Sequence, residues 1–197
     1  MIEAGTNSGS KKFQTGKGEL ERTLLAGMHG PPELKRAEKR RHLGEFRERV
    51  MVLLTKKQVM EPGVYPEVVR ALEDKQASGV LLNGEISFNH TAKYEKLAAD
   101  MGKKSTIVHD PDFKGQAGLE VVSDQAVDVA DIKVRGREER LKELGMSEKL
   151  IRCAGKKVCT NCYGTITEAD SREAINYRKM TSGDYFWGER CPGCKTI

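Results

Sequence analysis

RERVMVLLT, residues 47–55, sets the reading of the larger part of this chain. It is a short, nearly uninterrupted apolar run with β-branched valines and a polar exit at Thr55, which reads as a buried strand. Beyond Thr55 the hydrophobic period changes. PGVYPEVVRALEDKQ places Pro66 near a helix start and Val68, Val69 and Leu72 in a 3,4 pattern, so an amphipathic helix is predicted, ended by Gly79. VLLN is a second short strand. FNHTAKYEKLAADMGKK is a second helix, capped by Asn89 or Thr91, with Tyr94, Leu97, Ala98 and Met101 on one face. STIVHD and GLEVVSD read as two more strands, and QAVDVADI begins a short helix.

Upstream, PPELKRAEKRRHLGEF alternates Glu with Lys and Arg at helical spacings and reads as a solvent-facing helix ended by Gly44. ELERTLLAGMHG is a short helix, and residues 1–18 lack periodicity and read as a disordered tail. The alternation predicts an α/β domain over residues 19–132, a mixed sheet flanked by helices, with crossovers long enough for parallel pairing. Residues 133–152 read as a charged helical connector, and residues 153–197 as a separate small module.

That module carries the strongest chemical signal. Cys159 and Cys162 form one C-x2-C pair, Cys191 and Cys194 another, with 28 residues between them. Two such turns supply four tetrahedral corners, and zinc suits four thiolates because it is borderline-soft and has no redox chemistry. Gly164 and Gly193 lie in or beside the turns, and TSGD at 181–184 suggests a hairpin between the pairs. So small a segment buries little core and needs a staple, which zinc provides at about 10–16 kcal/mol. Four Cys leave no open position, which makes the expected ion a structural Zn2+, one per chain, in a zinc-ribbon-like fold. A redox dithiol would instead sit in a βαβ unit. An iron–sulfur cluster is the other rival. Cys153 is the odd thiol, a spare or a substitute for Cys159.

Of 197 residues, 38% are hydrophobic and 32% charged, the composition of a soluble globular protein. No run nears the roughly 18 apolar residues of a membrane span, and the N-terminal residues lack a secretory h-region, so a cytoplasmic protein with no membrane partner is expected. Charge is uneven: residues 10–49 hold 11 Lys/Arg against 6 Asp/Glu, residues 50–132 hold 9 against 13, and residues 133–197 hold 14 against 9. Basic ends suit a polyanionic partner. The candidate phosphate contacts are Lys35, Arg36, Lys39, Arg40, Arg41, Arg47 and Arg49 at one end, and Lys156, Lys157, Arg178 and Lys179 at the other. Glu33, Glu38, Glu45 and Glu48 can instead pair with the first group. Phe186 and Trp187 can stack on bases or form the module's minimal core.

GMHGPPELKRAEKRRHLGEFRERVMVLLTKKQV, residues 27–59, resembles the YueI-like family of bacterial proteins, a domain of unknown function. Tyr94, Leu97 and Ala98, the TIV strand and the Ala126–Val127 pair extend the likeness over about residues 20–132. The resemblance implies the fold of Bacillus-type chorismate mutase and the kink-turn-binding ribosomal proteins, although the Gly-x-Asn-Glu-type loop of the latter is replaced by KKQVMEPG after Thr55. No phosphate-binding, nucleophile-elbow or dinucleotide motif occurs. His29, His42, His90 and His109 lack ligand spacing and read as surface or core residues, and Asp110 and Asp112 flank a turn proline. GEISFNH marks a strand-to-helix loop, with Asn83, Gly84, Asn89 and His90 as a candidate small-ligand pocket. The expectation is a non-enzymatic accessory protein binding RNA or a ribonucleoprotein, the alternatives being a protein-interaction adaptor or a small-molecule-binding or catalytic α/β domain.

Overall fold

The first strand, β1 (Val50–Thr55), leads straight into a short helix, α2 (Lys56–Met60), because Thr55 and Gln58 form a reciprocal capping box. The computed structural model describes residues 36–110, 113, 115–127 and 129–194. Before β1 lie a single turn of helix, α1 (Arg36–Lys39), and a chain reversal at Leu43 and Gly44, both at positive φ. The expected tail and the helix at ELERTLLAGMHG fall outside the described residues, as does Lys35.

Pro66 opens α3 (Pro66–Glu73), followed by β2 (Ala77–Asn83), α4 (Phe88–Asp100), β3 (Lys104–Val108) and β4 (Ala117–Ser123). The sheet order is β1-β4-β2-β3, with β4 antiparallel to both neighbours and β2 parallel to β3. This is an α/β fold with a mixed sheet. One face packs Leu54, Leu82, Leu119 and Val121 against Val59, Val68 and Leu72 and against Tyr94 and Ala98 of α4. The other face holds Leu43, Leu53, Val122 and Ile132. Covered on both faces, β4 is buried along its whole length, so GLEVVSD shows no alternation.

Three local expectations need correction. The helix that Gly79 was to end stops at Glu73, and Gly79 lies inside β2. There a Cβ would sit 2.3 Å from the Lys104 carbonyl, so glycine serves the close approach of β3. Ser87, not Asn89 or Thr91, precedes the first turn of α4, and the Thr91 hydroxyl bonds Phe88 and Glu95 within the helix. QAVDVADI is not helical among its described residues. It runs beside β1: Val127 N bonds Glu48 O, and Leu53 exchanges hydrogen bonds with Ile132 and Val134. The free edge of β1 needed backbone partners, and that demand outweighed a weak helical composition.

Beyond Gly136 come α5 (Arg137–Glu143), α6 (Glu148–Ile151), β5 (Lys157–Val158), α7 (Thr160–Ala169), a 3-10 stretch (Ser171–Asn176), β6 (Arg178–Lys179) and α8 (Ser182–Phe186). TSGD makes no hairpin. Thr181 and Asp184 form a capping box that opens α8, and the sole β pairing of the described part of this region is the two-residue parallel β5–β6. Its core draws Leu141, Met146, Leu150 and Ile151 from α5–α6 together with Val158, Ile166 and Tyr177. The region meets the sheet domain through Asn176, whose amide accepts from Val64 N at 2.6 Å and donates to Val64 O at 2.8 Å. No helix among the described residues is long and apolar enough to cross a membrane.

Candidate metal centre and basic surface

Cys159 is the N-cap of α7 and Cys162 sits one turn in, so the start of the helix aims both sulfurs the same way. Cys191 and Cys194 come back to them from the chain beyond α8. The four sulfurs all lie within 4.8 Å of one another, with Cys159–Cys194 at 3.5 Å and Cys162–Cys194 at 3.8 Å. Tetrahedral ligation with metal–sulfur bonds of about 2.3 Å sets sulfurs about 3.8 Å apart, so the four could hold a metal ion. Backbone amides complete the cradle: Cys159 N donates to Cys191 Sγ at 3.2 Å. At Gly193 a Cβ would lie 2.7 Å from Leu150 and 3.4 Å from Cys162 Sγ, so the second turn requires glycine. Gly164 meets no such constraint; it is a helical residue with open space around it.

Burial pushes the Cys191 thiol up, but the amides of Cys159 and Gly193 outweigh it and bring the group to about 7. Burial and hydrogen bonds from the neighbouring thiols push Cys162 up. Cys153 is apart from the cluster, buried in the apolar core with its thiol on Lys149 O at 3.1 Å, and its pKa is raised by burial.

Phe186 and Trp187 are 85% and 83% exposed, edge to face with centroids 6.0 Å apart. They are not the core of this region, because α5 and α6 supply that core. The paired strands put Lys157 beside Arg178 and carry Lys179, whose ammonium lies 4.6 Å over the Tyr163 ring. Lys157 also bonds Asp184 of α8, which ties the basic strand pair to the helix bearing the two rings. Lys156 is exposed just before β5. At the other end several of the described basic residues are already engaged. Arg47 donates to the Val129 and Ala130 carbonyls at 2.6 and 3.1 Å, Arg49 faces Glu45 at 3.6 Å, and Lys39 lies over the Phe46 ring at 4.8 Å. Arg40 and Arg41 are exposed, and Arg36 opens α1.

In the GEISFNH loop Asn83 is buried and already engaged, donating to Ala117 O and accepting from Glu85 N, both at 2.9 Å. Gly84 packs under His109, whose ring a Cβ would meet at 2.2 Å. Asn89 is exposed and His90 half-buried in the first turn of α4. Two constellations escaped sequence reasoning because their members are far apart in the chain: His42 with Glu120, and Arg137 with Glu173.

A mixed α/β domain followed by a four-cysteine centre is thus the kind of protein that the fold and site define. The family described as "Protein of unknown function (DUF1694)" matches residues 17–133, and the chain belongs to that family. It is similar to the uncharacterized protein YueI of Bacillus subtilis (strain 168), 34% identical over 109 residues, which are 55% of this chain and 83% of YueI. The crystal structure of YueI from Bacillus subtilis superimposes with a TM-score of 0.51 at 32% identity, covering 60% of this chain and 92% of that one. The four cysteines lie beyond the family match.

Proposed function

We propose that this is a cytosolic, non-enzymatic accessory protein that binds RNA or a ribonucleoprotein through a C-terminal surface braced by structural zinc. Four thiolates with tetrahedral sulfur spacing suit zinc above harder or redox-active ions, and the full Cys set leaves no site for water or substrate. The observation that supports RNA is the exposed Phe186–Trp187 pair beside Lys157, Arg178 and Lys179. Aromatic faces stack on unpaired bases and basic side chains hold phosphate, which together favour single strands over duplex. Residues 133–197 keep a net positive charge even after zinc and four thiolates are counted.

Filter binding of a short single-stranded RNA at about 50 and 200 mM salt tests the reading. Affinity should fall steeply with salt and drop at least about thirtyfold in Phe186→Ala/Trp187→Ala, since about 1–3 kcal/mol is lost with each stacked base. Binding that is absent, or indifferent to both salt and the rings, would dismiss it.

A further inference from the structure

Glu120 occupies the middle of β4, hydrogen-bonded to strands on both sides, and its side chain is wholly buried. In register with Leu53 and Leu81, it faces an apolar layer. One oxygen meets His42 Nδ1 at 3.0 Å; the other, Oε2, has no hydrogen-bond partner. A buried carboxylate with half its capacity unused is costly, and such groups cluster at functional sites. Burial raises its pKa, with His42 opposing the shift.

His42 also lines a cleft of about 1260 Å3 along the β1 edge, with Leu53 and Ala117 at its wall. With Nδ1 engaged by the carboxylate, Nε2 is the nitrogen left for anything that enters. The lining mixes apolar side chains such as Leu53, Ile132 and Val134 with polar and charged ones. Of the lining residues, Arg47 bonds the carbonyls of Val129 and Ala130, Gln58 bonds Val134 O, and Glu61 accepts from the Tyr65 hydroxyl. Arg41, His42 and Arg47 mark a basic end, while the rest of the lining is of mixed charge, with Glu61, Asp131, Glu138 and Glu139 set among Lys57, Lys133 and Lys142.

We propose that this cleft binds a small phosphate monoester, its phosphoryl group at the basic end against His42 Nε2 and Arg41, with Glu120 as the positioning residue that orients the imidazole. Phosphate fits this end because guanidinium and imidazole both match it: neutral His42 accepts from P–OH, and protonated His42 donates to P–O. The site is separate from the C-terminal surface and does not depend on RNA binding there.

The test is NMR titration of the full zinc-loaded chain with glycerol phosphate and with inorganic phosphate, following the imidazole nitrogens of all four histidines. Glycerol phosphate should shift His42 at millimolar concentration and leave the other histidines unmoved, and His42→Gln or Arg41→Ala should weaken binding about tenfold. Unliganded protein should show the Nδ1–H tautomer of His42, and Glu120→Gln should admit both tautomers, a change that loss of packing alone does not produce. If Glu120→Gln fails to fold, the two rim variants decide. The proposal is overturned if neither probe moves His42, if Arg41→Ala binds as well as the parent, or if a single-stranded oligonucleotide displaces the probe, which would assign the cleft to the nucleic-acid path.

Discussion

Arg137 Nε lies 2.8 Å from Glu173 Oε2, and both side chains are buried. Arg137 also donates to Tyr177 OH at 3.0 Å, while Glu173 takes Arg140 at 2.7 Å on one oxygen and Asn176 at 2.9 Å on the other. The pair is thus fully hydrogen-bonded, the condition under which a buried ion pair is tolerated. It stands where the sheet domain, through the Tyr65 hydroxyl on Arg137 N, meets the C-terminal region. Arg137→Met alone leaves the buried carboxylate with only Arg140 and Asn176 and should cost about 3 kcal/mol in chemical denaturation, and Arg137→Met/Glu173→Leu should recover much of that loss. Equal losses in single and double variants would show that the charges do not act as a pair.

Asn176 is the second tie. Its amide occupies both backbone groups of Val64, and a Cβ on Gly63, at φ +90°, would come within 2.8 Å of the Asn176 oxygen. Asn176→Leu leaves those groups unpaired, and a loss of about 1–3 kcal/mol is expected. Hydrogen exchange should quicken first at Val64 N, ahead of the sheet.

Stability should rise between pH 8 and pH 10. Burial depresses Lys93 to about 8, with Glu61 opposing, so over this window the unfolded chain holds a proton that the folded chain has released. Proton binding by the unfolded state makes stability increase with pH. Above pH 10 the trend should reverse, because burial raises Tyr65 and Tyr94 and only the unfolded tyrosines then lose their protons. Urea midpoints across this range check it, and Lys93→Met should flatten the rise below pH 10.

Gly193→Ala forces a methyl against Leu150 and Cys162 Sγ. Metal affinity should fall at least about tenfold in a chelator competition, while Gly164→Ala, in open helical space, should keep full affinity and add a little stability.

What was legible in the sequence was local. The C-x2-C spacing fixes two sulfurs per turn wherever the turns go, so the four cysteines that come together could be read directly as candidate ligands. The strands and helices around Val50–Thr55 and Pro66–Glu73 arise from period and caps. Strand order was not legible, because β4 enters between β1 and β2 only through long-range pairing. Phe186 and Trp187 suggested a core when residues 153–197 were weighed alone; Leu141, Leu150 and Ile151 arrive from before Cys153 and free the rings for the surface. The His42–Glu120 contact spans 78 positions, and no periodicity links its partners.

That a zinc ion on Cys159, Cys162, Cys191 and Cys194 shapes the C-terminal surface is tested most directly by elemental analysis joined to zinc X-ray absorption on the purified chain. The expected result is one zinc per chain with four sulfurs at about 2.3 Å. Absence of stoichiometric metal, or a zinc shell built of nitrogen and oxygen, would contradict it.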